Sequence, residues 1–139
     1  MKMRVLPVWL VMLVAFGLAG CKGDPFAVPS DAVRTPSGIA SKVLQAGLGS
    51  ARPALDSRVT VHYTGWTADG REFESTRSGP PPTFAVTGVI PGWTEILLQM
   101  VKGEKRRVWI PGALAYDNDP RPDVPKGTLI FDMELVEIR

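Results

Sequence analysis

The chain has 139 residues, with 16 Lys and Arg against 14 Asp and Glu, one histidine and one cysteine. That length suits a single domain. The near balance of charge argues against a nucleic-acid binder, which carries a basic excess on one face. A lone histidine argues against a His-based metal site or catalytic triad, and a lone cysteine against a disulfide framework.

Lys2 and Arg4 precede an apolar run from Val5 to Ala19, which closes on Leu18-Ala19-Gly20-Cys21. This is the layout of an export signal: basic start, short apolar stretch, small residues before the cut. The run is shorter than the ~20 residues a membrane-spanning helix needs. Leu-Ala-Gly-Cys is similar to the bacterial lipobox, and that likeness implies a signal peptide over residues 1–20 and a lipid on Cys21. Acylation then leaves no thiol for redox chemistry or zinc. Residues 21–36, drawn mostly from Pro, Asp, Ala, Val and Ser with no sustained period, are expected to form a flexible tether.

The folded domain is expected over residues 37–139. Ile39 to Gln45 reads as a first strand, followed by the turn-rich Gly47-Leu48-Gly49-Ser50. Arg58 to Trp66 alternates, with Val59, Val61 and Tyr63 on one face and Thr60, His62 and Thr64 on the other. Asp69-Gly70 supplies a hairpin turn, because such residues accept the positive φ that tight turns require. The chain returns through Arg71 to Thr76, and Thr83 to Val86 forms a further short strand.

Pro91-Gly92 then breaks the backbone before Trp93, Ile96, Leu97 and Met100, an apolar stripe at helical spacing that Gly103 is expected to end. Glu104 to Pro111 reads as a strand with Val108 and Ile110 inward. The basic group Lys102, Lys105, Arg106 and Arg107 is expected to be a solvated strand end. Thr128 to Arg139 closes the chain, with Leu129, Phe131, Met133 and Leu135 on one face. About five antiparallel strands and one short helix give an α+β domain, with the helix lying across the sheet and Trp93 at its N-terminal end.

Segments in this order resemble the FK506-binding-protein (FKBP) family of peptidyl-prolyl cis-trans isomerases. They are VTVHYTGWTADGREFEST (Val59 to Thr76), VIPGWTEILLQM (Val89 to Met100), KGEKRRVWIP (Lys102 to Pro111), LAY (Leu114 to Tyr116) and GTLIFDMELVEI (Gly127 to Ile138). TPSGIASKVLQAGLG resembles the lead-in strand of the bacterial macrophage-infectivity-potentiator branch. The resemblance implies an antiparallel sheet wrapped around one helix, a hydrophobic pocket between them, and rotation of Xaa-Pro peptide bonds without cofactor or metal. Trp93 stands at the family's pocket floor, with Tyr63, Phe73, Val89, Ile90, Tyr116 and Phe131 as walls. Glu74 stands where the family usually has aspartate, and Phe84 lies on the flanking strand.

The resemblance also implies proline-containing exported polypeptides as clients, FK506-like macrolides as further ligands, and an envelope location facing the periplasm, more in keeping with an outer than an inner membrane. Without the extended N-terminal helix of dimeric relatives, a monomer is expected. The chain departs from the family after Tyr116, where Asp117-Asn118-Asp119 replaces a glycine and the loop to Pro125 is shorter, with Val124 in partial replacement of the usual isoleucines. That departure keeps a second reading open, a non-catalytic module that binds proline peptides or holds clients. Asp117, Asp119 and Asp123 alternate like calcium ligands but lack the central glycine and closing glutamate of that motif, so a structural acidic turn is expected.

Overall fold

The structure, a computed structural model, describes Asp24 and residues 26–139. The expected signal peptide and Cys21 lie outside the described residues. Seven strands form one antiparallel sheet: β1 (Val33–Arg34), β2 (Ala40–Gln45), β3 (Arg58–Thr67), β4 (Glu72–Ser75), β5 (Thr83–Ala85), β6 (Lys105–Ile110) and β7 (Leu129–Ile138). Their spatial order is β1-β2-β6-β7-β3-β4, with β5 paired separately to β3. The expected count of about five falls short by the two shortest pieces, the two-residue β1 and the three-residue β5.

The long central strands β3 and β7 carry the alternation that makes them strands. Val59, Val61 and Tyr63 on β3 and Leu129, Phe131, Met133 and Leu135 on β7 all face one buried cluster. A register shift between Thr60 and Val61 relative to β7 does not disturb that facing. Val108 and Ile110 on β6 join the same cluster, as do Ile39 and Val86. Among the described residues the single α-helix, α1 (Pro91–Leu97), lies on this inner face and buries Trp93, Ile96 and Leu97.

Two features explain how α1 starts. Ile90 is its N-cap with extended φ −59° and ψ 149°, and Pro91 occupies the first turn, where a missing N–H costs nothing. Gly92 is needed for contact: a side chain there would meet Ile110 Cγ2 at 2.5 Å, so the glycine lets α1 settle directly on β6. The helix is shorter than its apolar stripe. After Leu97 the chain tightens, with Gln99 N donating to Ile96 O at 2.9 Å and Met100 N to Leu97 O at 3.2 Å. Gly103, at φ +86°, then reverses it, and its N–H reaches Leu135 O at 2.7 Å. The sheet therefore captures the chain before the helix runs to Gly103, and Met100 is buried from a turn rather than from a helix.

The sheet has a second apolar face. Ala40, Trp109 and Ile130 are buried on the side away from α1, covered by Phe26, Val28, Ala32 and Trp66. The Trp109 indole donates to Phe26 O at 2.7 Å, and the Phe26 and Trp66 rings lie 5.1 Å apart. Arg107 sits over both rings, at 5.7 and 5.5 Å, while its guanidinium forks onto Asp132 at 2.6 and 2.8 Å. Residues 26–34 are thus a strap rather than the free tether expected there. An alanine, a tryptophan and an isoleucine on a sheet face must be covered, and the nearest chain covers them together with Trp66.

The basic group expected at a solvated strand end is largely engaged in ion pairs. Lys102 meets Glu137 at 2.8 Å, Arg106 meets Glu104 at 2.5 Å and Arg107 meets Asp132 at 2.6 Å.

Candidate functional site

The N-terminal end of α1 leaves a cavity of about 430 Å³ between helix, sheet and loops. That size accommodates a small ring or one residue of a peptide with its neighbours. Trp93 lies at the bottom, 4% exposed. Its indole meets the Tyr63, Phe84 and Phe131 rings edge-on at centroid distances of 4.7, 5.7 and 5.4 Å. Such T-shaped contacts fix each ring against its neighbours, so the floor is held before any ligand arrives. The Trp93 indole Nε1 is buried without a hydrogen-bond acceptor.

Of the residues expected at the site, Tyr63, Glu74, Phe84, Val89, Ile90, Trp93, Tyr116 and Phe131 line this cavity. Phe73 stands behind the wall, packing on Phe131 at 5.8 Å and lining a shallow neighbouring cleft with Glu72, Glu74, Ser75, Arg77 and Ser78. Gly65 makes that pairing possible. A side chain at this position would meet Phe73 Cζ at 2.7 Å and Phe131 Cε1 at 2.8 Å. Sequence reasoning missed Gly65, because a glycine inside a strand pattern signals close approach without saying of what.

Val124, expected to replace a missing wall, does not line the cavity; Ala115, Asp119 and Arg121 do. The physical reason lies in how the loop after Tyr116 is tied. Asp117 Oδ1 accepts the Gly127 N–H at 2.7 Å, closing the loop at its base. The same carboxylate rests against Gly112, where any side chain would collide with it. Lys126 donates to Tyr116 O at 2.8 Å and also to Asp119 O. Arg121 donates from Nε and Nη2 to the two oxygens of Asp119 at 3.0 and 2.7 Å, and its backbone N–H adds a third bond at 2.9 Å. Two of the aspartates expected to form an acidic turn, Asp117 and Asp119, are thus used as internal caps. Among the described residues no group of three His, Cys, Asp or Glu is placed to hold a metal ion.

His62, expected to be structural, pairs its Nδ1 with Thr76 Oγ1 at 2.9 Å and does not line the cavity.

Several polar side chains border the cavity beside its rings: Tyr63, Glu74, Tyr116, Asp119 and Arg121. The Ile90 N–H precedes the helix and has no acceptor among the described residues. The Tyr116 side chain has no hydrogen-bond partner among them either. Burial raises the Tyr63 phenol well above its ordinary range, and the adjoining Glu74 carboxylate adds to the shift. Tyr116 is raised too, first by burial and then by the charge of Glu74, with Arg121 opposing. Asp119 is lowered to about 2 by the hydrogen bonds from Arg121. The site therefore offers aromatic surface, one free backbone donor, the Tyr116 phenol as a neutral donor and a Tyr63 phenol engaged with Glu74, with the Asp119–Arg121 ion pair at its mouth.

A family model described as FKBP-type peptidyl-prolyl cis-trans isomerase matches residues 49–136. The outer membrane protein MIP of Legionella longbeachae is 42% identical over 127 residues, covering 85% of this chain and 53% of that protein. The FKBP-type peptidyl-prolyl cis-trans isomerase FkpA of Escherichia coli K12 is 38% identical over 118 residues, covering 84% of this chain and 43% of its own. The chain thus spans about half the length of these curated relatives. The crystal structure of Escherichia coli FkpA superposes with a TM-score of 0.74, covering 82% of this chain and 54% of that one. A crystal structure of a peptidyl-prolyl cis-trans isomerase from Pseudomonas syringae pv. tomato, 29% identical, covers 99% of this chain and 98% of its own with a TM-score of 0.70.

These two raised phenols, the only tyrosines in the chain, predict a measurable alkaline behaviour. Folding favours their neutral form, so their contribution to stability is whole below about pH 10, the free phenol value, and is lost as pH rises through the folded values. Ultraviolet titration of the native protein near pH 10 is expected to show well under one tyrosinate. Two phenols titrating with an ordinary midpoint in the folded protein contradict the buried arrangement.

Proposed function

The chain belongs to the FKBP-type peptidyl-prolyl cis-trans isomerase family, and from that premise we propose that it rotates Xaa-Pro bonds in exported polypeptides. The observation that carries this reading is the cavity itself: an indole floor, ring walls already packed, and an unengaged backbone N–H at its edge.

The chemistry asked of such a site is modest in kind and substantial in size. An amide resists rotation by about 18–20 kcal/mol because twisting destroys resonance. An acceleration of about four decades requires roughly 5–6 kcal/mol of preferential binding to the twisted form. No bond breaks, so no nucleophile or proton relay is needed. The planar amide is the more polar form and water favours it, so transfer into an aromatic cavity lowers the barrier if the twisted form is gripped there.

Trp93 offers a flat face to the proline ring, with Phe131 and Ile90 beside it and Phe73 bracing Phe131 from behind. The Ile90 N–H holds one substrate carbonyl, and the Tyr116 hydroxyl a second. Tyr63 and Tyr116 are neutral phenols throughout the physiological range, where even an ordinary phenol is protonated.

The second reading, a binding or holdase module without catalysis, is favoured by one observation: Asp119 and Arg121 occupy the mouth where Val124 was expected. A proline-peptide isomerisation assay scanning the residue before proline separates the two. The isomerase reading predicts acceleration of at least some peptides, and a loss of tenfold or more in kcat/KM for Trp93→Leu, which keeps the helix stripe apolar. Binding by the wild type with no acceleration of any peptide overturns it. The same cavity is proposed to accept macrolides of the FK506 class.

The location is proposed to be the bacterial cell envelope, with a lipid on Cys21 holding the protein to the membrane, more in keeping with the outer one. Acyl chains contribute about 0.8 kcal/mol per buried CH2, enough for several together to anchor a small domain. Cys21→Ser is expected to move the protein from the membrane to the soluble fraction. Retention of the variant on membranes contradicts the anchor.

A further inference from the structure

Three charged groups, Glu74, Asp119 and Arg121, border the cavity from two elements. Glu74 projects from β4, and Arg121 from the loop after Tyr116. They are not held alike. Glu74 accepts a hydrogen bond from the Tyr63 phenol but forms no ion pair among the described residues, and nearby Arg77 is committed to Glu134 at 3.2 Å. A carboxylate brought by a client would be repelled there.

Arg121 is the opposite case. Its guanidinium is oriented by Asp119 through Nε and Nη2, with Nη1 left without a partner among the described residues. Its side chain is 63% exposed. A preset guanidinium loses little freedom on meeting a second carboxylate, and its planar fork can bridge two of them. Asp123 also lies within electrostatic reach of Arg121, but no hydrogen bond joins them. Beneath the pair, Lys126 braces the loop backbone through Tyr116 O and Asp119 O. Tyr116 stands beside Arg121, close enough for the guanidinium to oppose the rise in its phenol. A peptide carbonyl held by Tyr116 would bring the neighbouring side chain toward Arg121, which lines the same cavity.

We infer that Arg121 is a specificity-determining residue, admitting clients with a carboxylate side chain adjoining the proline into a mouth that Glu74 would otherwise close to them. The inference rests on the isomerase reading of the same cavity. It concerns selectivity alone.

The test compares isosteric peptides, Glu against Gln, at the position before proline and separately at the position after it. The full chain in detergent is assayed as wild type and as Arg121→Gln. The quantity read is the Glu/Gln ratio of kcat/KM, whatever the absolute rates. Arg121→Gln is expected to lower that ratio about two- to fivefold at one of the two positions, the range for a partly exposed ion pair. High salt is expected to lower the wild-type ratio toward the variant's, which gives the same answer should the variant fold poorly. A ratio unmoved by both substitution and salt overturns the inference while leaving the isomerase reading intact. Should no peptide be accelerated, the isomerase reading fails by itself, and the same ratio read from Kd by calorimetry still decides whether Arg121 selects for acid.

Discussion

A seven-residue helix has to cover the inner face of strands ten residues long. At 1.5 Å per helical residue and about 3.3 Å per strand residue, that sets roughly 10 Å of helix against about 33 Å of sheet. The shortfall cannot be left to water without exposing the rings of Tyr63, Phe84 and Phe131. It is resolved at one end by Met100, buried from the turn that follows the helix, and at the other by a cavity whose walls pack on one another. The cavity is thus a consequence of covering a long sheet with a short helix, and Trp93 on the first turn of that helix becomes its floor. Gly92 against Ile110 and Gly65 beneath Phe73 and Phe131 are the close approaches that hold this geometry.

Much of this was legible in the sequence because it rests on period. Alternation in β3 and β7, the spacing of Trp93, Ile96 and Leu97, and the break at Pro91-Gly92 each depend on neighbouring residues alone. What was not legible depends on partners far along the chain. The apolar stripe continues to Met100, yet the helix stops at Leu97, because Gly103 is drawn to Leu135 on the last strand. Composition marks residues 21–36 as a tether. The second apolar face formed by Ala40, Trp109 and Ile130 appears only once β2, β6 and β7 lie side by side. The seven-strand sheet remains the α+β architecture expected, with two short pieces at its margins.

The candidate site divides along the same line. Its ring residues sit in segments whose order and spacing match the family, and the structure brings them together apart from Phe73, which supports the wall from behind. The loop after Tyr116 was the least legible part, because its conformation is set by side chains capping backbone groups ten residues away. Asp117 reaches Gly127, and Lys126 reaches back to Tyr116. An aspartate-rich run reads as a cation site or an exposed turn until those partners are known. Once they are, the loop is a self-tied cover that presents the Arg121 guanidinium, oriented by Asp119.

The strap and the cavity lie on opposite faces of the sheet. Phe26 and Trp109 fasten the start of the described chain to one side of the sheet, and the cavity opens on the other. The claim on which everything else depends is that a proline ring sits over the indole of Trp93. Transferred nuclear Overhauser spectroscopy on a short proline peptide tests it most directly. Contacts from the proline ring protons to the Trp93 indole, with Phe131 beside it, are the result predicted. Contacts confined to the shallow cleft along β4, with none to Trp93, would contradict the account.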